Sequence, residues 1–251
     1  MKTRLVLAVS EKTEVFAAAA TRIRDITLVD VAAAADAIIT DELDPSFEGK
    51  PTLLVESQPD REAPWLFPAL SSRFSPEALA IRESLDSEEL GQPGLMRMHL
   101  WTSPSKSQGK TAIIGAVDLA LWLFGAEPES VHGVSDAKDS ASCSVIHLGF
   151  PQGGMAVLDF TNSLPEGEGY RSLSLIGSRG AAYADDHRNR NLFFDGGAPQ
   201  ASCPSFEHAM IQPMLQQFLA DVSDGKDSAS SAQSYRRASD IVSEASRGLT
   251  S

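Results

Sequence analysis

The chain has 251 residues, a formal net charge of −13 and an ordinary globular composition with 42% hydrophobic residues. This length supplies a sizeable core in one large domain or two small ones, and the composition excludes wholesale disorder. Nucleic acid and anionic membranes bind clustered Lys and Arg, and no such cluster occurs, so neither partner is expected. The first residues, MKTRLVLAVSEKTE, lack an adequate signal-peptide core, and no later run approaches a membrane span. We therefore expect a cytoplasmic protein.

Strand-like and helix-like segments alternate in the N-terminal part. The Ala-rich run Glu14–Ile23 predicts a helix, and apolar, β-branched runs predict strands. The predicted strands are Thr3–Val9, Ile26–Val31, Ala37–Thr40 and Thr52–Glu56, followed by the apolar segment Trp65–Leu70. This alternation is typical of the opening of a doubly wound parallel sheet.

The connections late in this part are short. About ten residues, Asp41–Pro51, separate the third strand from the fourth, whereas a parallel crossover with its helix needs about a dozen or more. We therefore expect one or two crossover helices to be shortened or absent, leaving one face of the sheet without its cover. An uncovered apolar face usually binds a partner chain.

The rest of the chain predicts a second, mostly antiparallel sheet with helices. Ser75 as N-cap and Pro76 at the first helical position begin a helix over Phe74–Leu90. An apolar helix over Thr111–Phe124 ends at Gly125. The predicted strands are Leu95–Trp101, 129–136, 142–150, 155–162, 170–176, 180–184 and 191–195, and the last two helices cover 208–222 and 232–247.

The two cysteines and the Asp/His-rich turn give no metal site. Cys143 and Cys203 lie far apart, neither belongs to a CxxC pair, and we expect buried thiols. Asp185-Asp186-His187 falls in a polar turn after a strand and has no spaced partner, so no metal is expected there.

Several motifs from residue 70 onward carry a family resemblance. They are Arg73-Phe74, the EELG turn at 88–91, the strand MRMHLW, the helix DLALWLFG at 118–125 followed by Pro128 and Ser130-Val131, and SLIGSRG at 174–180. In order and spacing they resemble the glucose–fructose oxidoreductase / inositol dehydrogenase / rhizopine-catabolism (Gfo/Idh/MocA) family. The resemblance implies an α/β protein with a shortened Rossmann-like domain over 1–92. It also implies an α+β domain over 93–251 with a large open, mostly antiparallel sheet, and a terminal helix that packs back on the first domain.

The dinucleotide-binding residues implied by the family are altered here. A Gly-x-Gly-x-x-Gly turn should follow the first strand, but Ala8, Ser10 and Thr13 occupy its glycine positions. Glu11 and Glu14 at the start of the following helix would cost a pyrophosphate roughly 1–2 kcal/mol, and Ser10 is also explained as a simple N-cap. Asp30 favours binding, because an acid at that distance after the turn holds the ribose hydroxyls, although Asp is also a common turn residue.

The proton-transfer residues implied by the family are altered as well. Ser57 replaces the lysine of the family's EKP motif, and Thr111 and Gly115 replace an Asp and a His that precede the DLALW-like helix. Loss of one general acid or base typically costs about 10²–10⁴-fold in rate. Lys110, His99 and Arg73 remain candidates for a ligand pocket. A solvated lysine, a hydrogen-bonded sheet histidine and a surface ion pair are the structural alternatives.

Two functions follow. In the first, the chain binds no cofactor and acts as a binding or assembly module. It forms a homodimer or higher oligomer through its C-terminal sheet or through the uncovered N-terminal face, and a small-molecule ligand is a further candidate partner. In the second, it is an NAD(P)-dependent sugar or polyol dehydrogenase with a divergent site.

Overall fold

The structure is a computed structural model that describes residues 3–7, 13–24, 26–29, 31–55, 63–104, 109–138, 141–164, 169–185, 191–193, 200–202 and 206–247. The chain divides into two compact units, one made of residues 1–74 and 206–236 and the other of residues 75–205 and 237–251. Ser75 and Glu77, at the start of the next helix, hydrogen-bond to Arg171 within the second unit. The domain boundary at 92/93 stays a prediction.

The first unit contains a five-stranded sheet that is parallel throughout. Its strands are β1 (Thr3–Leu7), β2 (Ile26–Leu28), β3 (Ala37–Thr40), β4 (Thr52–Leu54) and β5 (Leu66–Pro68), in the order β2-β1-β3-β4-β5. Helix α1 (Glu14–Ala20) connects β1 and β2. Three-residue 3-10 turns at Ala32–Ala34 and Pro45–Phe47 stand in the next two connections. The predicted shortening of the crossovers is therefore confirmed.

One face of this sheet packs against α1 and against α4 (Phe206–Ser223). Its core combines Phe16 of α1, Ile39 and Leu53 of the strands, and Leu215 of α4. Phe67 of β5 meets Phe218 of α4 edge to face, with ring centroids 5.2 Å apart. The apolar side chains of β3, β4 and β5 on this face thus pack against a helix that comes from the far end of the sequence.

The opposite face is also buried over the central strands, so the prediction that it lacks a cover is wrong there. Ile38, Leu54 and Leu66 on this face are almost fully buried. Phe47, from the second 3-10 turn, packs on the cluster of Ala35 and Ile38. Lys50 donates hydrogen bonds from Nζ to the carbonyl oxygens of Ala33 and Ala35, at 3.2 and 3.1 Å. Short turns therefore contribute to the cover that crossover helices usually give.

The second unit contains a six-stranded mixed sheet. Its strands are β6 (Pro93–Trp101), β7 (Ser130–Lys138), β8 (Ala141–Gly149), β9 (Met155–Thr161), β10 (Tyr170–Gly177) and β11 (Ala181–Asp185), in the order β11-β10-β6-β9-β8-β7. Only the β6–β9 pair is parallel, which confirms the mostly antiparallel prediction. The predicted strand at 191–195 does not join this sheet. Instead β12 (Asn191–Phe193) pairs with β13 (Gln200–Ser202).

Helices cover one face of the mixed sheet. Helix α3 (Lys110–Phe124) contacts β6 and β9, and the DLALWLFG motif provides most of its buried residues. Phe124 stacks on Phe150 with centroids 4.0 Å apart, and a Cβ at Gly154 would lie 2.6 Å from the Phe124 ring. Gly125 ends the helix in the left-handed region at φ 62°, as predicted.

Individual residues set the start of a second helix and the close packing of a third. Helix α2 (Pro76–Asp86) begins at Ser75, whose Oγ accepts from the Ala78 N–H at 3.3 Å, which confirms the predicted cap. The last helix, α5 (Ala229–Arg247), approaches β7 so closely that a Cβ at Gly133 would lie 2.3 Å from the Ala245 carbonyl oxygen.

Among the described residues, none of the helices has the length and apolar character needed to cross a membrane. The prediction of a buried thiol is wrong for Cys143, which is exposed because strand alternation places it on the uncovered face of the mixed sheet. Cys203 lies outside the described residues.

Candidate functional site

The order of the parallel sheet places its topological switch point between β1 and β3. Ligands of open α/β sheets bind at the carboxyl ends of the strands at such a point. Ser10, Asp30 and Ser57 lie outside the described residues, so their predicted roles stay predictions. The described part of this edge is the end of β3, which continues directly into Asp41 and Glu42.

The turn after β3 is fixed by its own hydrogen bonds. The Thr40 hydroxyl donates to the Glu42 carbonyl oxygen at 2.6 Å and accepts from the Glu42 N–H at 3.1 Å. Two carboxylates therefore follow the strand end where a pyrophosphate would need positive charge or N–H donors.

Thr13, at the last of the three glycine positions, is the N-cap of α1. It is almost fully buried, at 2% exposure, and its side chain makes no capping hydrogen bond. Since the helix begins at Glu14, its cap is Thr13, and the predicted cap at Ser10 lies outside the described residues. A buried threonine here fills the space that a glycine leaves for close helix–strand packing.

Helix α3 carries the two positions that the sequence resemblance predicts for the family's Asp and His. Thr111 is its second residue and is partly buried, and Gly115 is buried one turn later. Their i, i+4 spacing places them on one face of the helix. A hydroxyl and a missing side chain give neither of these two positions a group that exchanges protons at neutral pH.

Of the three predicted pocket residues, Arg73 belongs to the first unit, and Lys110 and His99 lie on opposite sides of the mixed sheet in the second unit. Arg73 lies in the 3-10 turn Ser71–Phe74 of the first unit, and this turn packs against α4. Lys110 is exposed at the first position of α3, on the helix-covered side of the mixed sheet. His99 lies on β6 and faces away from that side, because the covered face of β6 consists of Met96, Met98 and Leu100.

His99 is a hydrogen-bonded sheet histidine. Its Nδ1 lies 3.2 Å from Asp159 Oδ2, and the two side chains are 33% and 30% exposed. Its ring meets Trp101 edge to face at 5.2 Å, and Trp101 lies 5.0 Å from Tyr170. These four side chains form a polar and aromatic cluster at one end of the uncovered sheet face.

We call this uncovered side of β6–β11 the open face. Five of the eight large hydrophobic side chains that are exposed among the described residues lie on it: Val134, Val145, Met155, Ile176 and Tyr183. Val134 is 69% exposed and Tyr183 is 74% exposed. The sequence predicted these strands, but alternation alone did not tell which side the helices would leave bare. The open face is the main candidate surface of the described chain.

Comparison with known proteins supports the fold. No family model matches the sequence, and no curated protein matches it. Among solved structures, a protein assigned as a myo-inositol dehydrogenase from Sinorhizobium meliloti is 16% identical, with a TM-score of 0.76 over 99% of this chain and 97% of that one. A myo-inositol dehydrogenase from Corynebacterium glutamicum is 15% identical, with a TM-score of 0.75 over 99% and 98% of the two chains.

A third similar structure contains a cofactor. GenD2 from gentamicin A biosynthesis, solved in complex with NAD, is 14% identical, with a TM-score of 0.71 over 99% of this chain and 94% of that one. The two-domain Gfo/Idh/MocA fold that the motifs predicted is therefore confirmed over nearly the whole chain.

Proposed function

We propose that this chain is a catalytically silent protein with the Gfo/Idh/MocA fold, and that it acts as an assembly module by binding a second copy of itself through the open face. The observation that carries the proposal is the concentration of exposed apolar side chains on that face. Contiguous exposed apolar surface marks interaction sites, whereas single exposed hydrophobics are ordinary.

Charge supports the same surface. The chain has a net charge of −13, which makes two copies repel each other on most of their surface. On the described part of the open face, away from the strand ends, the charged side chains are Arg97, Asp136 and Asp159. Because the open face is nearly neutral and apolar, two copies can approach each other closely there. The acidic rest of the surface opposes such an approach.

Two observations, one from each unit, support the loss of catalytic activity. Thr111 and Gly115 supply no proton-transfer group at their two positions of α3, and Asp41 and Glu42 add two carboxylates to the described part of the switch-point edge. The alternative function is an active NAD(P)-dependent sugar or polyol dehydrogenase. The observation that favours it is the match over 99% of the chain to a structure that holds NAD.

A cofactor titration separates these functions. Ligand binding raises the free energy of unfolding by RT ln(1 + [L]/Kd), about 2.7 kcal/mol at 100 times the Kd. We expect no thermal shift with NAD, NADH, NADP or NADPH at millimolar concentration. Saturable binding of any of them below about 100 μM, with thermal protection, would contradict loss of cofactor binding.

Assembly is tested by sedimentation at micromolar concentration in buffer that retains trace metals. We expect the mass of a dimer for the native chain. Val134→Lys places a charge in the apolar part of the open face and should give a monomer. Leu79→Lys is the matched control, because Leu79 is also an exposed hydrophobic residue but lies on α2. A native chain that sediments as a monomer contradicts assembly.

A further inference from the structure

The hairpin of β7 and β8 places two histidines directly opposite each other. The register pairs His132 with His147, Val134 with Val145 and Ser130 with Gly149. Both histidines lie on the open face, since Ile146 and Leu148 on β8 point to the covered side. Directly opposed residues of an antiparallel pair have Cβ atoms about 4.5–5.5 Å apart, so the two imidazoles extend from neighbouring points of one rigid element.

Neither imidazole is engaged within the described part of the chain. His132 is exposed and His147 is partly exposed, and neither forms a hydrogen bond, ion pair or ring contact with the described residues. His99 on the same face is different, because Asp159 holds its Nδ1. The pair is therefore available to a ligand in a way that His99 is not.

Two imidazoles on one hairpin are half of a transition-metal site. Imidazole suits Zn²⁺, Cu²⁺ and Ni²⁺, and structural Zn²⁺ sites take four protein ligands. Among the described residues no third His, Cys, Asp or Glu comes close enough to form a larger ligand group. The neighbour of His147 on β9 is Val157, which cannot bind a metal. One copy of the chain therefore supplies two ligands and leaves the set incomplete.

We propose that His132 and His147 bind a divalent transition-metal ion, Zn²⁺ foremost, and that the same two histidines of a second copy complete its coordination. This inference rests on the proposed assembly through the open face. A two-fold interface brings the same patch of both copies together, so a pair near the axis faces its own equivalent. Stacked sheets lie about 10 Å apart, a gap of the size that two facing imidazoles span with Zn–N bonds of about 2.0–2.1 Å.

The test uses the full chain, stripped with EDTA, dialysed and titrated with Zn²⁺ alone, with Mg²⁺ as the control ion. Calorimetry gives the stoichiometry and sedimentation velocity gives the mass. We expect one Zn²⁺ per two chains and a dimer. His132→Gln and His147→Gln should each weaken Zn²⁺ binding by more than the roughly 10–100-fold that loss of a supporting residue costs. The matched control His208→Gln, on α4 of the first unit, should bind as the native chain does.

The outcomes separate this inference from the proposed function. Zn²⁺ binding that survives both substitutions, or one Zn²⁺ per chain with no change in mass, overturns the metal site. A dimer in EDTA that binds no Zn²⁺ also overturns it and leaves assembly standing. A monomer both in EDTA and in Zn²⁺ contradicts both. A dimer in Zn²⁺ that depends on His132 and His147 supports both.

Discussion

The buried ion pair between Arg171 of β10 and Glu77 of α2 should be a main support of the second unit. Arg171 Nε donates to Glu77 Oε1 at 3.2 Å, the side chains are 12% and 7% exposed, and Arg171 Nη2 donates to Ser75 Oγ at 3.4 Å. At an effective dielectric constant of about 20, unit charges at this distance attract by about 5 kcal/mol. Desolvation of both groups offsets much of that attraction.

Removing one partner should therefore cost more than the pair itself contributes. In Arg171→Ala the Glu77 carboxylate stays buried without its guanidinium, and its Oε2 already has no hydrogen-bond partner among the described residues. Truncating one side of a buried pair costs about 3–5 kcal/mol, and we expect this loss in urea denaturation followed by circular dichroism. The double variant Glu77→Gln with Arg171→Met should recover much of it, because it leaves no unpaired charge.

Arg179 provides the matched control. Its Nη1 lies 3.2 Å from Glu88 Oε2, the same distance, but the two side chains are 63% and 77% exposed. Exposed pairs contribute about 0–1 kcal/mol, so Arg179→Ala should change the unfolding free energy by no more than that. If Arg171→Ala and Arg179→Ala cost the same, burial does not set the strength of these pairs and the reasoning is refuted.

Three further changes test other contacts. Burial raises the pKa of Tyr235, and its hydroxyl has no partner among the described residues; Tyr235→Phe should therefore match or exceed the native stability at pH 7. The native chain should lose stability relative to this variant as the pH rises above about 10, because the tyrosine deprotonates first in the unfolded state. Denaturation of both proteins at about pH 7 and about pH 10.5 measures the two effects. Gly133→Ala should destabilise by about 1–3 kcal/mol through its clash with Ala245, whereas Ser135→Ala on the same strand should be near neutral. Phe150→Ala should cost about 3–5 kcal/mol because it empties the buried stack on Phe124; a thermal midpoint equal to that of the native chain would contradict this.

The sequence predicted those elements whose boundaries are set by residues at the boundary itself. Ala37–Thr40 forms the predicted strand, Ser75 with Pro76 begins α2, and Gly125 ends α3. In each case the residue that sets the boundary lies beside it. Placement of Thr111 and Gly115 in α3 followed from the same helix prediction, and their match to the family's proton-transfer positions stays a prediction.

Features that depend on distant contacts were not predictable. The pairing of β12 with β13 needed a partner strand that the sequence pattern did not mark. The cover given by Ala35 and Phe47 comes from turns of three residues, which have no periodicity to detect. The opposition of His132 and His147 depends on the register of the β7–β8 hairpin, and one residue of slip would place His147 on the other side of the sheet.

The first unit also has a consequence for biosynthesis. Helix α4, which is built from residues 206–223, covers a sheet whose last strand ends at Pro68. At about 5–20 residues per second, a ribosome needs several seconds or more between completing the sheet and completing its cover. During that interval Ile39, Leu53 and Phe67 lack Leu215 and Phe218, so the nascent chain is a natural client for chaperones. A truncation before residue 206 should make that state permanent and appear as aggregation.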